Sequence, residues 1–420
     1  MKTIFRYVNV GLLFAAIATL GAVASFAQAP CDDAAGMAAL DAKFRDNYAK
    51  GIPERKMAVE AGKQYIEKFG ECPASKDFVD YLKSYLPGME KKIKDQEEAA
   101  ATGALLKQFD DNLKTKNWNE VYAAGKQILA QKPDEYRDAE LVLGSIGLDE
   151  TAKSPKVTTW NEDTLKYAKM AIADLEANKT FKTYGVGAFK YKNKEDALGW
   201  MNYTIGYIYF FDKNDKKQGL SYLYKATQLS SETKTNPVVY QSIGAYYFDE
   251  VRKLAGEVDV LAKGQDPKDT EEVAKQKVDA IKAKVAMVNG TSEAAIDAYA
   301  RAYDLAKKNP KTQKPYTDSL YKTLQDLYNV RFGKMDGFDA FIARTVTKPM
   351  PNPLEPVKPI DDVAPASATS TTITAAPAKT AEVTKPAPVE TAKPATTTAR
   401  TRTGARTGTV AKRPLKRKAN

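Results

Sequence analysis

A chain of 420 residues with 43% hydrophobic content is long enough for two or three domains or for one elongated array of repeats. Its formal charge of +11 is unevenly placed: Lys2 and Arg6 supply +2, and residues 346–420, with 13 basic against 5 acidic side chains, supply +8, which leaves +1 for residues 7–345. A body so close to neutral argues against a nucleic-acid binder, and the absence of histidine excludes Ser-His-Asp and Cys-His nucleophiles and histidine-rich zinc sites.

The first residues read as an address. Lys2 and Arg6 precede a 15-residue apolar run from Val10 to Ala24, and small residues at Ser25, Ala27 and Ala29 offer a cleavage site. Pro30 favours the cut after Ala27, so residues 1–27 are expected to be a signal peptide and the product periplasmic or secreted. The run is too short for a membrane span, and no later segment approaches the roughly 20 apolar residues that one needs. A lipoprotein is the rival reading because Cys31 follows closely. Pro30 and Gln28, however, stand where a lipobox has a small and an aliphatic residue.

Leu40, Phe44 and Tyr48, four residues apart, predict a helix from about Asp33 to Gly51, and a second helix from Pro53 to Phe69 returns beside it. Cys31 lies just before the first and Cys72 just after the second. An antiparallel hairpin brings them together, so a Cys31–Cys72 disulfide is expected in an oxidising compartment, two free thiols being the alternative. Late in the second helix stands Ala61-Gly62-Lys63-Gln64, and the same four residues recur at Ala124–Gln127, again shortly before a proline. An internal duplication explains that recurrence better than chance. Between the copies, Phe78, Tyr81, Leu82 and Tyr85 line one face until Leu86-Pro87-Gly88, where a break is expected. Pro87 then fits the opening of a long helix through Ile93, Leu105 and Phe109, whose middle, Asp95–Thr102, lacks large apolar residues.

Trp118 and Val121 open the partner helix. Leu141, Leu143 and Gly144 belong to another, followed by Leu165, Ala168 and Ala171 in a helix capped by Asn161 or Thr164. Residues 179–194, with Gly185, Gly187 and four aromatics, read as an inserted loop or short hairpin. It either binds something or packs its aromatics on neighbouring helices, the second being the commoner use of such a loop.

Residues 195–310 contain the most informative pattern. Trp200-x-x-Tyr203 with Gly206 and Tyr207 opens one segment, and Tyr240-x-x-Ile243-Gly244-x-x-Tyr247 opens another. Gly219-x-x-x-Leu223-x-x-Ala226 follows the first, and Ala295-x-x-x-Tyr299-x-x-Ala302 the second. Large residues at i, i+3 and i+7 make one buried stripe, and the glycine beside them lets a second helix approach closely. The Tyr240 segment is similar to the tetratricopeptide pattern W-x2-L-G-x2-Y, with an aromatic swap at its first position. The resemblance implies an all-α, tetratricopeptide-like α-solenoid of antiparallel helix pairs over residues 28–345, whose inner groove binds a peptide or protein partner, with no enzyme activity, cofactor or metal. In that family first-helix residues beside the signature face the groove. The groove candidates carried over are therefore Met201, Ile205, Tyr209, Gln241, Ala245, Phe248 and Asp249. Three features depart from the pattern: Phe109 stands where a small residue is expected, repeat lengths vary, and the first unit lacks the signature glycine.

Between Tyr247 and Ala295 two further helical stretches, Asp249–Leu261 and Thr270–Val288, lengthen the pair, so a protruding antiparallel arm is expected over 249–290. Val258, Val260 and Leu261 should face Val273, Val278, Ile281 and Val285. A last pair, Tyr316–Phe332 and Gly337–Thr345, should close the core.

From Thr347 onward there is no aromatic residue, and Pro, Ala, Thr and Lys dominate. Residues 346–420 are thus expected to form a disordered basic tail. Its last part, Arg400–Asn420, holds eight basic and no acidic residues. It is either a tether for an anionic surface, whether cell-wall polymer, lipopolysaccharide or nucleic acid, or a solvated tail.

Catalytic patterns are scarce. Ser231-x-x-Lys234 lacks the partner motifs of a Ser-Lys nucleophile. Asp212-x-Asn214 with Gly219 has Leu223 where a calcium loop requires a bidentate Glu. Gly185-x-Gly187 follows no strand and lacks a third glycine. The sequence therefore favours a non-enzymatic interaction scaffold of the cell envelope. The alternative is an envelope-polymer binding or carbohydrate-processing factor localised by its basic tail and working through a buried Asp or Glu pair.

Overall fold

A computed structural model describes residues 30–361. The expected signal peptide, 1–27, and residues 362–420 of the expected tail lie outside the described residues. Among the described residues every regular element is helical: α1 (Ala34–Asn47), α2 (Ile52–Phe69), α3 (Lys76–Thr115), α4 (Trp118–Gln131), α5 (Asp138–Leu143), α6 (Ile146–Thr151), α7 (Asn161–Glu176), α8 (Lys194–Phe211), α9 (Lys216–Gln228), α10 (Pro237–Lys263), α11 (Glu271–Lys308), α12 (Lys314–Phe332) and α13 (Phe338–Val346).

Pro87 does not break α3. It lies inside a helix of 40 residues, because the buried stripe Val79, Leu82, Leu86, Met89 and Ile93 keeps its 3–4 spacing straight across the proline. Burying five large side chains outweighs the roughly 3 kcal/mol that an interior proline costs. The stripe stops at Ile93, and residues 94–101 are all exposed before Leu105 and Phe109 resume it. No core can bridge that gap. The chain accordingly falls into two compact units that divide within α3, the first ending at Ala104 and the second beginning at Leu105.

In the first unit α1 packs against α2, and Phe44, Tyr65, Phe69 and Leu82 centre the core. The hairpin brings the cysteines together as its geometry requires: Cys31 and Cys72 form a disulfide, with Cα atoms 5.3 Å apart.

The second unit begins with a core of Phe109, Trp118, Tyr122, Val142, Ile146 and Tyr167. The expected helix through Leu141 and Gly144 is two short helices, α5 and α6. Neither Asn161 nor Thr164 caps α7, whose first turn has no side-chain cap. Both are drawn into buried bonds instead. Asn161 reaches Thr151 and Asp212, and Thr164 Oγ1 accepts the Gly147 N–H at 2.9 Å and meets the Tyr122 hydroxyl at 2.7 Å. Beyond, α7 packs on α8, α8 on α9, α9 on α10, and α10 along α11. Side-chain caps at Asn193, Asp215, Asn236 and Thr270 start α8, α9, α10 and α11.

Two glycines set the closest crossings of this series. A Cβ on Gly206 would lie 2.8 Å from Leu223 Cγ and 3.0 Å from the Leu223 backbone nitrogen, and one on Gly244 would lie 2.6 Å from the Tyr299 ring. In each pair the first-helix glycine faces the large residue of the second helix's small-large-small rhythm. The two pairs are thus built on one contact, although α10 and α11 are much longer than α8 and α9.

In the arm, Val258 is 8% exposed but Val260 is 71% exposed, so Val260 faces water and not α11 as the sequence predicts. Residues two apart on a helix point about 200° apart, and only one of these two can join the seam. The expected disorder does not begin at Thr347. Residues 347–361 form a strap on α11: the Ile360 N–H donates to the Ala286 carbonyl at 2.9 Å, Asn289 Nδ2 donates to the Ile360 carbonyl at 3.2 Å, and Met350 and Val357 pack on the adjoining core. Four apolar residues, Met350, Pro353, Val357 and Ile360, suffice here because a preformed helix supplies the other surface. Composition averaged over the whole tail hides them.

Three stability outcomes follow from this packing. Replacing both cysteines by serine should lower the unfolding free energy of the first unit by about 3–4 kcal/mol in the chain-entropy account, read from urea denaturation; an unchanged midpoint would contradict it. Gly244→Ala should destabilise the second unit by about 1–3 kcal/mol through overpacking. Gly256→Ala, where nothing lies within 4 Å of the added Cβ, should stabilise it by roughly 0.5–1 kcal/mol.

Candidate functional site

Four of the seven groove candidates, Gln241, Ala245, Phe248 and Asp249, follow one another on α10 at i, i+4, i+7 and i+8, which places them on one face. All four are half-buried. Their neighbours come from elements distant in sequence. Tyr316 of α12 donates to Gln241 Oε1 at 2.9 Å, and Lys216 of α9 pairs with Asp249 while lying 5.0 Å over the Phe210 ring. Ala245 and Phe248 rest on the core between these two polar ends. The stripe is therefore tied to α12 at one end and to α9 at the other, about 12 Å apart at 1.5 Å per residue. Its amide, phenol, ring, carboxylate and ammonium combine hydrogen bonding with apolar contact.

Tyr209 stands apart on α8. Its hydroxyl accepts from Lys169 Nζ at 2.9 Å, and its ring stacks on Tyr222 at 6.2 Å. That hydrogen bond is the main reason the Lys169 ammonium titrates above its ordinary range. Met201 and Ile205 are both 0% exposed and lie in the core that α7 and α8 share, among Leu165, Ala168, Ile172 and Leu175. As surface groove residues these two are corrected: α7 packs on the α8 face that the family pattern would leave open. Lys169, Lys216, Tyr222 and Tyr316, which complete the half-exposed surface, left no signal in the sequence because contact alone selects them.

The inserted loop 179–194 is packed. Asp138 accepts the N–H groups of Lys182, Thr183 and Gly185 at 3.0–3.2 Å. Arg137 donates to the Thr180 carbonyl at 2.9 Å and to Asp174 at 2.7 Å. Phe189 is buried against Trp118, and the Tyr191 hydroxyl meets Ser145 Oγ at 2.5 Å. The loop contains a single 3₁₀ turn, Gly187–Phe189. Its aromatics thus pack on the helices around them.

No protein-family model, curated protein or solved structure matches this chain. Its chemistry is therefore read from its own side chains. Among the described residues, no three Asp, Glu or Cys side chains converge closely enough to share a metal ion. One strongly perturbed carboxyl is Glu140 on α5, which is 1% exposed with neither oxygen hydrogen-bonded. Burial, reinforced by the Asp174 carboxylate and only partly opposed by Arg137 and Lys179, raises it from 4.5 to about 7. A carboxyl so enclosed meets no substrate unless α5 moves.

Glu140 should nonetheless shape the response to pH. Its folded-state value lies above its unfolded one, so its contribution is fully present below pH 4.5 and is lost as pH rises to about 7. The loss amounts to roughly 3 kcal/mol at most. Glu140→Gln should gain stability relative to the parent between pH 5 and pH 8 in urea titrations. A difference that does not change with pH would show that Glu140 is ionised throughout.

Proposed function

We propose that this protein is a non-enzymatic interaction scaffold of the cell envelope, with a tetratricopeptide-like arrangement of helix pairs that binds a protein or peptide partner. The observation that carries the reading is the repeated contact, Gly206 on Leu223 and Gly244 on Tyr299, which presents the first-helix face of α10 with Gln241, Ala245, Phe248 and Asp249 half-exposed beside it. Helical pairs stacked in this way create extended surfaces suited to polypeptides. The amide, ring and charged pair on that face can satisfy a peptide backbone and grip a side chain, and the stripe holds no nucleophile activated by a base.

Export, rather than residence in the cytosol, is supported by the Cys31–Cys72 disulfide and by the leader-like residues 1–27. Among the described residues no helix is long and apolar enough to cross a membrane.

Affinity capture from envelope extracts tests this function. Full-length protein and a chain ending at Asp361, which keeps the strap but loses the basic tail, should retain the same protein partners. Substituting Gln241 and Asp249 by alanine should reduce their recovery at least 5-fold, with the helical circular dichroism spectrum unchanged. Recovery of cell-wall polymer alone, abolished by the truncation, would instead establish the tail-localised, polymer-binding alternative.

A further inference from the structure

Besides its four apolar side chains, the strap meets α11 through its backbone. Ile360 uses both its N–H, on the Ala286 carbonyl, and its C=O, on Asn289 Nδ2. A helix carbonyl has a second lone pair available for such a bond. Gly290 is what admits the chain, since a Cβ there would lie 2.1 Å from the Lys358 carbonyl oxygen and 3.2 Å from Val357 Cγ1. At the strap's start the Arg301 guanidinium, held by Asp297 at 2.8 Å, donates to the Lys348 carbonyl at 2.7 Å.

Little of the strap's side-chain surface is committed. Pro353 is buried and Met350, Val357 and Ile360 are half-buried, while Leu354, Glu355, Pro356, Lys358 and Pro359 face solvent. A turn closed by Glu355 N–H to the Asn352 carbonyl at 3.1 Å sets the direction of the remainder, Pro356–Asp361, which has neither helix nor turn. The helix below bears a matching anomaly. Asn289-Gly290-Thr291-Ser292 places four residues of poor helix propensity in succession inside α11, at a place where the chain gains a channel for another backbone.

We propose that Ala286, Asn289, Gly290 and Arg301 form a binding track on α11 for extended, proline-rich peptides with apolar side chains at the positions of Val357 and Ile360, and that residues 348–361 occupy it in cis. Recognition through main-chain groups and a glycine gap is transferable to any segment of that kind, because it reads few side chains. The tethered strap acts as a competitor at high effective concentration, and an incoming segment must displace it. The proposal rests on the scaffold reading only in taking the partner to be a polypeptide; the track is distinct from the Gln241–Asp249 stripe.

A fluorescent peptide of sequence Pro351–Asp361, followed by anisotropy on the full chain, tests it. Two sets of substitutions release the strap in different ways. Val357→Asp with Ile360→Asp frees it and leaves the track open, whereas adding Gly290→Ala blocks the track. The double variant should bind the peptide at least 10-fold more tightly than the parent chain, and the triple variant should lose that gain. Binding no tighter than the parent, or a gain that survives Gly290→Ala, overturns the proposal. If the double variant loses its helical spectrum, Val357→Ala, which only shortens one strap side chain, should still tighten binding about 3-fold; no change there overturns it equally. Partners captured through Gln241 and Asp249 while the peptide fails to bind would remove the track alone, and the opposite result would remove the α10 surface.

Discussion

The second unit depends on how closely its helices approach. Where Gly206 meets Leu223 and Gly244 meets Tyr299, the absence of a side chain on one helix allows a large one on the next to lie against bare backbone. Dispersion contacts and excluded water then act over the whole crossing. The large member differs between the two pairs, and so does the connection between the helices: four residues separate α8 from α9, and seven separate the much longer α10 from α11. Holding the contact fixed while the arm lengthens shows which part of the pattern is constrained. Extra turns can be added at the free ends of two helices without disturbing the point at which they touch.

The same principle runs through the earlier helices with the roles exchanged. Gly125 on α4 lies against Phe109 and Leu143, with a Cβ there 3.0 Å from either side chain. Phe109, which departs from the small residue expected of the family pattern, is thus matched by a glycine opposite it. Volume is conserved across the contact and not at each position, and a single-position motif fails where the two helices have traded sizes. Gly62, in the related four-residue match, likewise faces Leu82 and Leu86.

Helices were legible in the sequence wherever a stripe of large residues kept its period, and the hairpin joining Cys31 to Cys72 was legible because both ends of that period were marked. Pro87 misled because local propensity was set against a stripe that continues on either side of it. Met201 and Ile205 misled for a different reason: their spacing shows that they share a face, but α7 covers that face, and a neighbour is not visible from spacing. The strap was hidden by averaging, since four apolar residues are too few to change the composition of a long tail. Its one sequence signal was the Asn289-Gly290 step inside an otherwise regular helix, which requires a reason once the helix is seen to continue.

Along α3, residues 94–101 are helical and exposed, and none of them joins a core cluster. They are held by their own hydrogen bonds, by alanine and by surface contacts: Lys94 pairs with Glu98, and from α2 Arg55 donates to Gln96 Oε1 at 2.6 Å and Lys56 pairs with Glu97 at 2.7 Å. A packed helix must shed core contacts before it unwinds, and this stretch has none to shed. Under tension between the two units it would yield first. Eight residues passing from 1.5 Å to about 3.4 Å each would pay out on the order of 15 Å of chain. Only the surface contacts of Gln96 and Glu97 with α2 would be lost and neither core would have to open, so the stretch would act as a mechanical fuse that resets when the load is removed.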